Sequence, residues 1–578
     1  MRRWSLLAER VAATTRTSEK TGLLAAYLRS LSADELRPAA VFLSGRPFAE
    51  ADQGPVGLGW AAIAAAVTRL AGLPAGALGE AYDRSSDLGV AVGDVLAARP
   101  VPPDAAATPS LTEVAAAFAA MRDAAVPAAR AAIFGRLLER CDALTAKYLV
   151  KVLTGELRIG LREGLLEAAV ARAFERPLEA VQWAGMLTGD VGATAVLARA
   201  GRLGDARLDL LHPLRLMLAS PAEDAAEILR RLGPTVWAED KYDGIRAQLH
   251  RRGREVRLYS RDLHDVSGQF PELVEAAADL PWDGILDGEV LAFRGGTVLP
   301  FLALQGRLGR KDPPAAVLAG TPVIYVAFDA LALGPSSDRD GSATTIPESL
   351  LRVPLRERRR RLEALDLPSA ASGGRFALSH LVTVRSADEL EQVFAAARAR
   401  RNEGLMVKDP ESGYSPGRRG YGWLKMKKAL ATLDCVVVGV EVGHGKRHGV
   451  LSDYTFAVRD EMDGGHLVTI GKAYTGLTDA EIATMTTWFE AHTLRRSGRY
   501  RVVEPSVVVE VAFDVIMRSG RHSSGFALRF PRIVRLRPDK RPDEADSLAT
   551  VERLWRELQH GAEFLVTAGA RKGLAPAG

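Results

Sequence analysis

Apolar side chains in the first third of the chain recur every three to four positions. Leu144, Tyr148 and Val152 fall four apart, as do Leu149 and Leu153, which lays an apolar stripe along one helical face. Segments 59–72 (GWAAIAAAVTRLAG) and 113–121 (EVAAAFAAM) are rich in helix formers and lack the alternation of a strand. Proline-bearing stretches at 99–109 and 213–221 read as connectors. Residues 1–205 are therefore predicted to form an all-α domain.

From about residue 235 the pattern changes to short apolar runs bounded by turn residues. Strands are predicted at 235–238, 285–293, 323–333 and 404–408, mixed with a helix over 387–401, so 206–428 reads as an α+β domain. After Lys428 the runs at 434–442, 467–474 and 507–513 predict a small β-barrel over 429–578, with a helical tail near 549–570. The polar segment 334–347 (GPSSDRDGSATTIP) reads as a surface insertion, and no internal repeat occurs.

Composition narrows this picture only a little. A chain of 578 residues with 47% hydrophobic and 25% charged positions is globular, not fibrous or disordered, and long enough for three or four domains. With 76 basic and 71 acidic side chains the net charge is +5, too small to argue for a polyanionic partner without local clusters. Two cysteines, Cys141 and Cys435, exclude a disulfide framework and a four-cysteine zinc site. Glu9 and Arg10 interrupt the apolar stretch after Met1-Arg2-Arg3, and no run of about 18 apolar residues occurs, so a cytoplasmic protein without membrane spans is expected.

Candidate chemistry begins at 239–246 (EDKYDGIR), directly after an apolar run. Lys-x-Asp-Gly alone is compatible with an ordinary charged turn. Its weight comes from the charged residues placed at other strand ends. Arg261 follows Val256–Ser260; Asp287 and Glu289 lie two apart in a strand and point the same way; Glu403 precedes the run to Lys408. Arg418, Arg419, Lys425, Lys427 and Lys428 form one cation cluster, and Arg529, Arg532, Arg535, Arg537 and Lys540, with Asp539, form another. Such clusters suit a polyphosphate. A free lysine is only about 0.1% uncharged at neutral pH, and neighbouring cations would lower its pKa and activate it as a nucleophile. Glu403 and Glu289 are candidate Mg²⁺ carboxylates. No P-loop is present, and 443–449 (GHGKRHG), with His444 and His448, reads as a basic loop in preference to a metal pair.

The ordered series KYDGIR (241–246), YSRD (259–262), LDGEV (286–290), FDAL (328–331), EGLMVK (403–408), WLKMKK (423–428) and LRFPRIVRLRPDK (528–540) resembles the motif set of ATP-dependent DNA ligases, in the long form of archaea, eukaryotes and some bacteria. Segments 147–162 and 443–453 are similar to that family's helical DNA-binding domain and OB-fold domain. The resemblance implies an all-α DNA-binding domain, an α+β nucleotidyltransferase (adenylation) domain and a C-terminal OB-fold β-barrel. It implies Lys241 as the adenylylated amine, Glu239 on adenine, Phe328 stacked on it, and Glu289 at the ribose or a metal. Arg246 and Arg261 would face the nucleotide or a 5′-phosphate; Arg419, Lys425 and Lys427 the α-phosphate; Glu403 the metal; Arg535, Arg537, Asp539 and Lys540 the leaving pyrophosphate. The role of Lys408 stays open between a phosphate contact and a structural ion pair. Lys147, Lys151, Arg158 and Arg162, set among Gly155, Gly160 and Gly164, would contact DNA phosphates, against an alternative of solvated lysines on a helix pair.

The same resemblance implies a monomeric enzyme using ATP and Mg²⁺ on nicked double-stranded DNA, recruited by replication or repair proteins. RNA ligases and RNA-capping guanylyltransferases share the lysine motif but generally lack a helical first third. NAD-dependent ligases carry a four-cysteine zinc finger that two cysteines cannot supply, and a silent DNA-binding scaffold would have no use for Lys241 with its charged partners.

Overall fold

The computed structural model describes all residues except 51, 53–55, 99–107, 337–346, 401, 418, 428–430, 444–446, 448, 559–561, 564–565 and 568–578. Arg418, Lys428, His444 and His448, most of the 334–347 insertion and most of the 99–109 connector therefore lie outside the described residues, as does the Arg419 side chain. The predicted helical tail is corrected beyond Leu558: Ala562–Glu563 and Val566–Thr567 are short strands, because they pair with Thr297–Val298 and with Phe376–Ser379. Two compact units are present, Met1–Met217 with Tyr259–Asp265, and Leu218–Leu258 with Val266–Gly578.

The first unit is helical from Arg2–Ala13 to Val191–Ala200. Ser32 and Ser110 close capping boxes with Glu35 and Glu113, which satisfies backbone donors at two helix starts. The predicted helices are Trp60–Ala71, Leu111–Asp123 and Ala143–Leu153. Trp4 lies edge-on to Phe42 and to Tyr148 of helix Ala143–Leu153 at 6.4 and 6.0 Å, and Phe42 lies edge-on to Phe118 of helix Leu111–Asp123 at 5.6 Å. Among the described residues no helix is long and apolar enough to cross a membrane.

In the second unit the strands are β1 (Leu218–Ala222), β2 (Val236–Lys241), β3 (Ile245–Arg252), β4 (Glu255–Ser260), β5 (Trp282–Arg294), β6 (Thr297–Val298), β7 (Val323–Pro335), β8 (Glu348–Ser349), β9 (Phe376–Ser379), β10 (Leu381–Val384), β11 (Gly404–Lys408) and β12 (Arg419–Met426). One sheet runs β1-β12-β11-β2-β10. Helices Ala225–Leu232 and Ala387–Ala399 cover it, with Ile228, Leu390 and Phe394 buried against Val236, Leu405, Val407 and Leu424. The second sheet is built on the long pair β5 and β7, with β3 and β4 on one side and β9 on the other. Part of the connector 213–221 proves to be a strand. β1 pairs in parallel with β12, and Pro221 is tolerated because β1 is an edge.

The C-terminal region is strand-rich. It contains β13 (Ala431–Val442), β14 (Leu451–Asp460), β15 (His466–Ala473), β16 (Thr493–Ser497), β17 (Tyr500–Val503), β18 (Val508–Phe513), β19 (Val515–Arg518), β20 (Phe526–Arg529) and β21 (Arg532–Leu536). β13 is its spine, pairing with β14 and with both β17 and β18, and β18 carries β21. Alternate residues Leu433, Cys435 and Val437 point into a core with Phe456, Phe489 and Phe513. Helix Leu548–Leu558 packs there through Val551.

Candidate active site

Antiparallel pairing of β2 with β11 sets Lys241 opposite Gly404, and the Glu403 backbone N–H donates to the Lys241 carbonyl at 3.0 Å. That register brings the Lys241 ammonium onto the Glu403 carboxylate, to which it donates. Burial pulls the lysine pKa down. Glu403, backed by Glu289 and Asp243, outweighs that pull and holds it above the ordinary lysine value. The predicted lysine, discharged by neighbouring cations, is thus corrected: the charges nearest Lys241 are carboxylates, and they favour the ammonium. Burial, reinforced by repulsion from Glu403, pushes the Asp243 carboxyl up to about 6. Burial likewise pushes Glu289 up to about 8, against the pull of Lys241 and Arg246.

Two aromatic rings stand against Arg246 and Lys408. Phe328 on β7 and Trp423 on β12 meet edge-on with centroids 6.1 Å apart. The Lys408 ammonium lies 4.6 and 4.4 Å from these two rings, and the Arg246 guanidinium lies 5.5 Å from each. Lys408 donates to Glu239 at 2.7 Å with both side chains buried. The other oxygen of Glu239 is buried without a hydrogen-bond partner among the described residues, and the Arg359 guanidinium stands 4.0 Å away. Arg246 donates twice to Asp287, at 2.7 and 3.1 Å, and the Tyr414 hydroxyl donates to the same carboxylate at 2.6 Å. Asp287 is visible in the sequence beside Glu289, whereas Tyr414 lies in a loop without strand or motif spacing to mark it.

Asp243, Glu403 and Lys427 line a cleft with Asp514, Val515, Arg529 and Phe530 of the C-terminal region. Lys427 donates to Asp514 at 3.1 Å. The Arg529 guanidinium lies 3.9 Å from the Phe301 ring centroid. Lys425 is half-buried on β12 opposite Met406. The expected pyrophosphate cations are engaged elsewhere in this conformation. Arg535 pairs with Glu510 at 2.7 Å, Arg537 with Asp434 and Asp539 at 2.9 and 2.7 Å, and Lys540 with Asp434 at 2.5 Å. The cleft is lined by Arg529, which in the sequence is only one member of a cation cluster.

In the first unit, Arg261 is exposed in a tight loop whose start is fixed by the Tyr259 hydroxyl donating to the Leu211 carbonyl. Lys147 pairs with Glu9. Lys151 is only 4% exposed and pairs with Asp87, so its expected phosphate contact is corrected. The fourfold spacing does put Lys147 and Lys151 on one face, but that face packs on helix Leu88–Leu96. Gly89 and Gly93 make room there, and a Cβ at Gly89 would sit 2.4 Å from Lys151 Cγ. Arg158, in the left-handed region at φ +49°, donates to the Ser86 carbonyl at 2.8 Å and pairs with Glu156 at 2.6 Å. Arg162 is exposed at the start of helix Glu163–Ala173.

Sequence profiles described as DNA ligase N terminus, ATP dependent DNA ligase domain and ATP dependent DNA ligase C terminal region match residues 2–171, 216–427 and 447–540. A probable DNA ligase of Koribacter versatilis is 45% identical over 563 residues, covering 96% of each chain. The chain belongs to the ATP-dependent DNA ligase family. A probable DNA ligase of Opitutus terrae is 43% identical and matches 98% of this chain, which spans 63% of that relative's length. The solved structure titled "Pmar-Lig_Pre." is 16% identical with a TM-score of 0.58, covering 93% of this chain and 99% of its own, a likeness of fold. The family's helical N-terminal region, adenylation domain and strand-rich C-terminal region occur in this chain in that order. Membership carries the activity, ATP-dependent joining of DNA, and sets aside RNA joining and RNA capping.

Proposed function

We propose that the chain seals nicks in duplex DNA through three phosphoryl transfers, the first placing AMP on Lys241. The observation that carries this reading is the convergence on Lys241 of three carboxylates, one of which, Glu289, also faces Arg246. The Glu239 oxygen that makes no hydrogen bond among the described residues is an acceptor suited to the exocyclic amine of adenine, with Phe328 the stacking face and Glu289 near the ribose. Arg246, Arg261, Arg419, Lys425 and Lys427 would meet phosphates.

Lys241 rests as an ammonium on Glu403, so it gives up that partner and releases a proton to solvent before its nitrogen attacks the α-phosphorus in line. The N–P bond forms as the bond to pyrophosphate breaks. AMP then passes to the 5′-phosphate of the nick, and the 3′-hydroxyl displaces it. Positioning and charge neutralisation dominate such transfers. Glu403 and Asp243, which face each other in the cleft, would hold Mg²⁺, and the ion would neutralise phosphate oxygens there. Glu289 would assist that ion.

The C-terminal region is read as an OB-fold barrel that presents two faces in turn: one with Arg535, Arg537 and Lys540 to pyrophosphate, the other with Arg529 to the cleft. Lys147, Arg158 and Arg162 are the phosphate contacts of the helical region. The protein acts as a cytoplasmic monomer recruited by replication or repair proteins. Incubation with α-labelled ATP and Mg²⁺ is expected to put acid-labile label on Lys241, chased by nicked duplex. Label from GTP alone, or joining undiminished in Lys241→Arg starting from AMP-free protein, overturns the reading.

A further inference from the structure

Asp514 occupies the single position between β18 and β19, where its backbone N–H donates to the Arg529 carbonyl at 3.1 Å. Its carboxylate thus sits at the root of the β19–β20 hairpin and points across the cleft. One oxygen receives Lys427 at 3.1 Å and the other lies 3.9 Å from Arg532. Of the residues lining the cleft, Asp514 is the carboxylate supplied by the C-terminal region; Asp243 and Glu403 come from the adenylation domain and face Lys241. Lys427 is therefore occupied by a barrel carboxylate in the conformation where the Arg529 face is seated.

We propose that Asp514 is a positioning residue that withholds Lys427 from the ATP triphosphate while the Arg529 face is seated. The pair has to open for adenylylation of Lys241, and it re-forms for the later steps on DNA. This rests on the reading of Lys427 as a phosphate contact. The strength is suited to the task. Lys427 and Asp514 are 29% and 20% exposed, and an ion pair that meets solvent biases an equilibrium by no more than about fivefold. That is enough to set which face is seated, and weak enough to open in every cycle. Competition is direct, because an ammonium on a carboxylate and the same ammonium on a phosphate are alternatives.

The test separates the steps. Single-turnover labelling of Lys241 with α-labelled ATP reports the first; sealing of a chemically pre-adenylated nick by AMP-free enzyme reports the last. Asp514→Asn is expected to raise the first rate about threefold and lower the last by a similar factor, with Asp514→Glu restoring both toward wild type. A common fall in both rates would show Asp514 merely supporting the hairpin, and unchanged rates would show an idle surface pair; either overturns the proposal. Failure of the underlying reading is distinguishable, since it appears in the wild type as no ATP label, or in Lys427→Ala as an undiminished first step.

Discussion

Glu239 uses one oxygen on a buried lysine and leaves the other without a hydrogen bond among the described residues, 4.0 Å from the Arg359 guanidinium. Removing its charge strands the Lys408 ammonium where water cannot reach it. Glu239→Gln is expected to cost ~3–5 kcal/mol of stability, read as a lowered thermal midpoint. Combining it with Lys408→Met restores stability without restoring adenylylation, if that second oxygen serves the adenine. Glu289 gives a pH signature at the same scale. Its folded pKa, pushed up to about 8, exceeds the ordinary carboxylate value of 4.5, so the folded state holds a proton that the unfolded state has released. Stability from this group is therefore lost as pH rises between those two values. Glu289→Gln should match or trail the wild type near pH 4.5 and gain on it steadily toward pH 8 in urea denaturation. Parallel curves across that window would show that Glu289 is ionised in the folded protein.

Among elements, the pairing of β2 with β11 depends on a backbone that only glycine adopts easily. Gly404 has φ +151°, and a Cβ there would lie 2.2 Å from the Met426 carbonyl oxygen. Gly404→Ala forces β11 away from β12 and is expected to cost about 2–3 kcal/mol, with the labelling rate of Lys241 falling because Glu403 moves with the strand. Labelling at the wild-type rate would show that Lys241 does not need this register. The strands themselves were legible: the runs at 285–293, 323–333 and 404–408 became β5, β7 and β11 because alternation and apolar runs record burial. Register was not, since pairing across 162 residues leaves no mark in either segment. The same limit explains the charges. Clusters of Lys and Arg can be counted in a sequence, but which carboxylate answers each one is decided by packing. Lys151 looked like a surface cation and is held inside by Gly89 and Asp87. The motif lysine and the carboxylates Glu403 and Glu289 were legible as site residues, yet that carboxylates and not cations stand nearest the lysine was not.

For the whole molecule, action on any sequence demands phosphate contacts, and these are read by salt. Arg162→Ala is expected to weaken binding to nicked duplex uniformly across sequences and to reduce the slope of log affinity against log salt by about 1. A slope equal to that of the wild type would remove Arg162 from the interface. The order of regions along the chain was legible because each has its own texture, helical, mixed, then strand-rich. The proline-bearing stretch before the adenylation domain was misread as plain connector, because parallel pairing with a strand some two hundred residues away is invisible locally. Its consequence reaches beyond one sheet. β1 lies alongside β12, with Pro221 beside Lys425, so the segment that leaves the helical part is also the edge of the sheet that carries Lys241. Any minimal catalytic fragment cut from this protein has to start no later than Leu218. One trimmed to the first helix after it would bare the outer edge of β12 and invite neighbouring molecules to pair there.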